Sequence, residues 1–247
     1  MKRRDAIAAI SSTILAARPR PARAEAPGVP VFMYHHVNNT IPSSALALAL
    51  TLPTPSFEAQ LRYLARNKIA TLTAGELFDA LSRGEHPQRT VVLTFDDGYE
   101  DGATVVGPLL AKYGARATFF VNAGTIGYRG HQSWREMRAL RAAGCEIGAH
   151  GMHHLDLTTL DRSEQMHEAG DCVARIQRFI GFRPVSYAYA SGAYNNTTLD
   201  VMREIGIHSA WTEIVGRALD VRKPYEMPRL RITRDMTVDG FAALVTG

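Results

Sequence analysis

The chain has 247 residues, 46% of them hydrophobic and 21% charged, a composition that suits a globular domain and excludes a disordered or fibrous protein. The formal net charge is +4, yet of 28 basic and 24 acidic residues six and one fall within residues 1–24, leaving 22 and 23 for the rest. The positive excess belongs to those first residues, and the remaining composition gives no reason to expect nucleic acid as a partner.

Residues 1–24 read as a secretory signal. Lys2, Arg3 and Arg4 precede an apolar segment, Ala6 to Ala17, and Ala22-Arg23-Ala24 forms a small-residue cleavage site. The segment is too short and too interrupted to span a membrane. The expected organisation is a signal peptide at 1–24 and one domain at 25–247, exported to the periplasm or the extracellular space.

Val29 to Val37 reads as a first strand ending in the polar Tyr34-His35-His36. Residues 38–53 read as a loop, with the apolar Ala45 to Leu50 given no role. Pro55-Ser56-Phe57 opens a helix that carries Phe57, Leu61 and Leu64 at core spacing, and Ile69 to Leu72 is a short strand before a second helix ended by Gly84.

Val91 to Gly98 is the stretch that concentrates chemistry, a buried-type strand running into two carboxylates and a glycine. Alternation places Val92, Thr94 and Asp96 on one face and Val91, Leu93 and Phe95 on the other, and Gly98 lets the backbone swing Asp97 to the strand mouth. Two like charges that close call for a shared proton or a cation between them.

Next come a helix over Tyr99 to Tyr113, a strand over Ala117 to Val121, a helix over Trp134 to Ala143 and a strand over Cys145 to Ala149 that delivers His150. A long helix spans Asp161 to Ile180, followed by a strand at Val185 to Ala190 and a helix capped by Asn196. Strands at Ile207 to Trp211 and Arg229 to Ile232 and a helix at Val238 to Val245 close the chain. Cys145, at a strand start, and Cys172, within a helix, read as buried free thiols.

Strands alternating with helices imply parallel pairing, and the number of units predicts a distorted (β/α) barrel of about seven parallel strands in a single domain. Reactive groups in such a barrel gather at the C-terminal strand ends. Asp96, Asp97, His150, His154, His35 and the Ser191-Gly192 turn all fall there. His150, His153 and His154 offer imidazoles at spacings of three and four, and with a carboxylate they suit a divalent metal that keeps one open position.

Thr94-Phe95-Asp96-Asp97-Gly98, followed some fifty residues on by His150-Gly151-Met152-His153-His154, resembles the polysaccharide deacetylases of carbohydrate esterase family 4. Met33-Tyr34-His35-His36-Val37 is similar to the branch that acts on poly-N-acetylglucosamine, and Gly192-Ala193-Tyr194-Asn195 extends the likeness. The resemblance implies a metal-dependent hydrolase that removes N-acetyl groups from an amino-sugar polymer such as poly-N-acetylglucosamine, peptidoglycan or a chitin-like chain. It implies Asp97, His150 and His154 as ligands of a divalent metal, Zn2+ first with Ni2+ or Co2+ as alternatives, and Asp96 as general base. The backbone N–H of Ser191 would face the oxyanion, with Ser191, Tyr194, Trp211 and His35 as substrate contacts.

The chain departs from the family pattern at three places. Gly151 stands where Ser or Thr is usual, Ala188 where an arginine orients the base, and Ile232 where a general-acid histidine is expected. Arg229 and Arg231 share one face of the late strand, where a guanidinium can pair with Asp96; the competing reading makes them surface charges beside Glu226 and Asp235. Arginine does not release its proton, so the acid role falls to Asp96 itself or to His35. Gly151 and Ile232 also motivate an alternative, a non-catalytic carbohydrate-binding relative that keeps the metal cleft.

Overall fold

The structure is a computed structural model and describes residues 28–247. The expected signal peptide at 1–24 lies outside the described residues.

In chain order the strands are β1 (Val31–Tyr34), β2 (His36–Val37), β3 (Thr51–Leu52), β4 (Ala70–Leu72), β5 (Thr90–Phe95), β6 (Thr118–Val121), β7 (Glu146–Ala149), β8 (Ser186–Ala188), β9 (Ser209–Val215) and β10 (Met227–Arg231). The helices are α1 (Ala45–Ala49), α2 (Thr54–Arg66), α3 (Ala74–Ser82), α4 (Gly107–Tyr113), α5 (Trp134–Ala142), α6 (Arg162–Met166), α7 (Cys172–Ile180), α8 (Asn196–Glu204) and α9 (Val238–Thr246). Strands β5 to β10 and β1 run parallel and close through the β1–β5 pairing into a seven-stranded barrel. β4 pairs with the first half of β5, and β2 and β3 form a separate parallel pair.

The barrel sorts its side chains by strand parity. Phe32, Tyr34, Leu93, Phe95, Phe119, Ile147 and Tyr187 face outward into the helices, where Phe57 and Leu61 of α2 and Ile176 of α7 cover them. Burying an aliphatic or aromatic side chain of this size contributes about 1.5–3 kcal/mol, and the six residues of β5 are buried throughout. The inward residues Val31, Val92, Phe120, Ala188, Trp211 and Met227 pack with Ala74, Leu77 and Leu81 of α3. α3 therefore plugs the N-terminal end of the barrel. Its first N–H groups dock on the strand starts, Ala74 donating to Thr118 Oγ1 at 2.8 Å and Gly75 to Glu146 Oε2 at 2.8 Å.

Several boundaries differ from expectation. Ala45–Ala49 is a short helix, and Asn195 rather than Asn196 caps α8. The helices expected over 99–113 and 161–180 each contain a π turn, at Gly102–Val106 and His167–Asp171. β9 continues to Val215, four residues beyond the strand end expected at Trp211. Cys145 and Cys172 are both free and buried, and burial pushes the Cys172 thiol up to about 11.

Candidate active site

β5 ends at Phe95, and the chain leaves the barrel through a left-handed turn with φ of 74° at both Asp97 and Gly98. Only glycine takes that backbone freely, and a Cβ on Gly98 would press Val121 at 3.3 Å. Asp96 therefore stays on the interior face, 3% exposed, while Asp97 is carried to the mouth.

Arg229 of β10 meets Asp96 inside the barrel, 1% exposed itself. It donates from Nη1 to Oδ1 and from Nη2 to Oδ2, each at 2.8 Å, a bidentate fork that is among the strongest protein ion pairs. Two further acceptors fix the guanidinium, the Thr212 carbonyl for Nε at 3.0 Å and Thr94 Oγ1 for Nη1 at 3.2 Å. A register shift supplies the first of them: Met227 pairs with Trp211 but Arg229 with Val215, so β9 bulges at Thr212 to Ile214. Burial alone would raise the Asp96 carboxyl, but the charge and hydrogen bonds of Arg229 together with the charges of His150 and His35 outweigh it and hold the group below the ordinary carboxylate range. Arg231, the next residue on that face, is a third exposed and pairs with Glu213 instead. Of the two arginines, Arg229 reaches Asp96, and the rim acid Glu213 takes Arg231.

Asp97, His150 and His154 converge, with ligand atoms all within 4.8 Å of one another. Asp97 Oδ1 lies 3.3 Å from His150 Nε2 and 3.4 Å from His154 Nε2. His150 donates from Nδ1 to the Ala188 carbonyl at 2.7 Å, which leaves Nε2 to face the cluster. Burial would lower the His150 imidazole, but the hydrogen bond it donates to Asp97 and the charges of Asp96 and Asp97 raise it. Surroundings that favour an imidazolium there equally favour a cation, and one carboxylate with two imidazoles is a donor set for a first-row divalent metal. His153 lies outside the cluster and contacts Glu168.

Five non-glycine residues among the described residues have left-handed backbone, and three of them, Asp97, His154 and Ser191, are candidate site residues. Such strain persists only where the surroundings enforce it, and it concentrates at functional sites. Ser191 is exposed in the turn after β8 with φ of 53°.

His35 is half-buried at the end of β1. Met33 pairs with Thr94 and Tyr34 with Phe95, so His35 comes level with Asp96. Burial lowers its imidazole against the pull of Asp96 and Asp97, and Arg229 and Arg231 lower it further. Ile232 is buried with Leu230 in the outer core, so no side chain from that position enters the mouth.

Of the expected substrate contacts, Trp211 is corrected by its burial, and Tyr194 has its partners outside the ligand cluster. Trp211 is fully buried in the barrel interior and donates to Ser209 Oγ at 3.2 Å; because β9 runs on to Val215, Trp211 is a mid-strand packing residue. Tyr194 stacks on the outward-facing Tyr189 with centroids 5.0 Å apart and donates to Glu226 Oε1 at 2.9 Å, just ahead of β10. It braces the outside of the barrel.

Two residues at the mouth were missed from sequence. Asn122 follows Phe120 on the interior face and donates to Asp97 Oδ1 at 3.4 Å, a position that strand alternation alone marks. Asp101 Oδ2 accepts from His36 Nδ1 at 2.9 Å, Val37 N–H at 3.2 Å and Asn38 Nδ2 at 2.6 Å, tying the segment after His35 to the turn after Asp97. No local pattern announces a contact across that separation.

The polysaccharide deacetylase family model matches residues 83–210, just over half of the chain. YxkH of Bacillus subtilis (strain 168), named with the polysaccharide deacetylases, is 29% identical over 218 residues, 88% of this chain and 76% of its own. The poly-beta-1,6-N-acetyl-D-glucosamine N-deacetylase of Staphylococcus aureus (strain MRSA252) is 24% identical over 193 residues, 72% of this chain and 67% of its own. Among solved structures, the Streptococcus pyogenes deacetylase PplD in complex with acetate overlays with a TM-score of 0.84 at 27% identity, covering 89% of this chain and 99% of that one. By the matched family model and the barrel that carries its motifs, the chain belongs to the polysaccharide deacetylase family.

Proposed function

We propose that this enzyme is a divalent-metal-dependent N-deacetylase of an exported amino-sugar polymer, with N-acetylglucosamine units as its substrate class. The carrying observation is the division of labour between adjacent carboxylates, Asp97 turned to two imidazoles and Asp96 held ionised by Arg229. Names among the relatives, a poly-N-acetylglucosamine deacetylase and a peptidoglycan-N-acetylmuramic acid deacetylase, support the polymer class. Among the described residues no helix is long and apolar enough to cross a membrane. The proposed export rests on residues 1–24.

Asp97, His150 and His154 would hold the ion, Zn2+ first and Ni2+ or Co2+ as substitutes, and when bound it supplies Lewis acidity for amide hydrolysis. Asp96 is the base. Its two oxygens offer about four lone-pair sites, so the Arg229 fork leaves room to take a proton from an attacking water. The proton returns to the leaving amine from Asp96 itself or from His35, because Arg229 cannot give one up. The Ser191 N–H, in its left-handed turn, donates to the carbonyl oxygen as negative charge develops there.

The non-catalytic alternative drew on Gly151 and Ile232. His35, level with Asp96, supplies an imidazole to the mouth that Ile232 does not, which weakens that reading.

Acetate release from N-acetylglucosamine oligomers by Zn2+-loaded protein, against a chelated control, tests the proposal. Release that is absent from both, with stoichiometric Zn2+ bound, would favour the binding-only alternative.

A further inference from the structure

Gly151 leaves the segment carrying His154 without the side-chain hydroxyl that the family likeness leads one to expect, and a buried acid from a distant helix occupies that space. Glu168 is 5% exposed and sits in the π turn between α6 and α7. Its Oε1 accepts from the His153 N–H at 2.6 Å and the Leu155 N–H at 3.4 Å, and its Oε2 lies 3.1 Å from His153 Nδ1. The Glu168 carbonyl also accepts from the Met152 N–H at 3.0 Å. One residue thus grips the backbone on both sides of His154.

Gly151 makes this grip possible. Its φ is 89°, and a Cβ there would stand 2.6 Å from Glu168 Oε1, so a side chain at 151 would displace the carboxylate from this position. On the other side, Ala123 and Gly124 donate to the carbonyls of Gly151 and Met152 at 3.0 and 2.9 Å. The His154 side chain is 40% exposed, so its place beside Asp97 depends on the loop backbone more than on packing around the ring.

Glu168 stands on the apolar stripe of its helix, one turn before Cys172 and two before Ile176, both fully buried. An apolar residue would serve packing there at less cost than a buried carboxylate. The acid is matched by N–H donors of the ligand loop, as a group that holds ligands in place requires.

We propose that Glu168 is a positioning residue for the metal ligands: by fixing residues 151–155 it presents His154 to Asp97 and His150 and so sets the affinity for the divalent ion. The proposal rests on those three residues being the ligands. It gives His153 a part as well, a donor to Glu168 rather than a ligand.

The test measures Zn2+ affinity by competition with a chromophoric chelator, together with the Co2+ absorption spectrum, in the wild-type protein, Glu168→Ala and Glu168→Gln. Glu168→Ala is expected to weaken Zn2+ binding about 10–100-fold, the usual effect of removing a group that orients a ligand, and to alter the Co2+ spectrum. Glu168→Gln, which keeps an acceptor for the His153 N–H, is expected to fall between. Thermal unfolding is followed in parallel. Variants that lose stability yet keep wild-type Zn2+ affinity and the wild-type Co2+ spectrum overturn the proposal, and if Glu168→Ala does not fold, Glu168→Gln is judged by the same criterion. A wild-type protein that binds neither ion overturns the ligand assignment itself, whereas wild-type binding with unaltered variants overturns only the role of Glu168.

Discussion

Asp96 and Glu146 are both carboxylates sealed within one barrel, one near each end, and they differ in what meets them. At the floor, Glu146 Oε2 accepts from the Gly75 N–H at 2.8 Å and from Thr118 Oγ1 at 3.0 Å, so its charge faces the N-terminus of α3 and holds the plug in place. At the mouth, Asp96 is gripped by a guanidinium that is itself held by Thr212 and Thr94. Burial of an acid therefore does not mark a reactive site by itself. Backbone donors complete a fold, while a buried guanidinium keeps a carboxylate ionised beside a cluster of metal-type ligands. Asp97, His154 and Ser191 carry left-handed strain at the mouth, while the other two such residues among those described, Lys68 and Arg89, lie just ahead of β4 and β5.

The mouth half of this comparison fails first if the ligand cluster is misassigned. Asp97→Ala or His154→Ala is expected to abolish stoichiometric Zn2+ and reduce acetate release to that of the chelated control, while His153→Ala keeps the metal. Metal analysis checks it, and retention in His154→Ala with loss in His153→Ala would reverse the assignment. Asp96→Asn keeps the shape and one acceptor for Arg229 but removes the basic site. Zn2+ content should be unchanged and turnover should fall roughly 10²-fold or more. Near-normal turnover in that variant would take Asp96 out of the chemistry.

Arg229 tests what its charge does for the base. Arg229→Ala leaves a buried carboxylate uncompensated and is expected to cost about 3–5 kcal/mol of stability, so Arg229→Lys is the variant in which catalysis can be read. Lysine keeps the charge without the fork, and turnover at acidic pH should fall roughly tenfold as Asp96 is protonated more readily. The sign follows from Asp96 lying below its unfolded value. Its contribution to stability is full above the unfolded carboxylate pKa and is lost as pH falls through the folded one. Weakening the partner raises the folded value, so the acidic limb of the rate profile and the acid-unfolding midpoint both move to higher pH. An unchanged profile in Arg229→Lys would show that the fork does not tune the base.

Local patterns were sufficient where alternation and strand ends carry the information. Val92, Thr94 and Asp96 could be placed on one face, and Arg229 with Arg231 on one shared face, because strand geometry has a fixed period; parity alone does not say which way that second face points. Trp211 was misplaced for a related reason: a strand expected to stop there puts its ring at the mouth, whereas four more residues of β9 put it in mid-barrel. Arg231 could not be separated from Arg229 by parity, since the difference is Glu213 on the neighbouring strand. Asp101 and Glu168 act across gaps of 63 to 65 and 13 to 15 residues, and only the closed barrel brings their partners to them. Glu168 did leave a trace, an acid at a core-spaced position of an amphipathic helix.

The smallest effect on turnover is expected at the floor, where the comparison can be broken from its other side. Glu146→Ala removes the acceptor of the buried Gly75 N–H and of Thr118 Oγ1, and an orphaned donor of this kind costs about 1–3 kcal/mol. Thr118 Oγ1 still accepts from Ala74, so the plug loosens at Gly75 rather than detaching. Between floor and mouth lies the packed interior of Val92, Phe120 and Trp211, which leaves Asp96, Arg229 and the histidine cluster supported from their own end. Denaturant unfolding should therefore show a lower midpoint, while turnover and Zn2+ affinity of the folded fraction stay at wild-type values. If Glu146→Ala were as stable as the wild type but slower, the acid at the floor would be coupled to the chemistry, and the division between a carboxylate that closes the fold and one that serves the reaction would have to be abandoned.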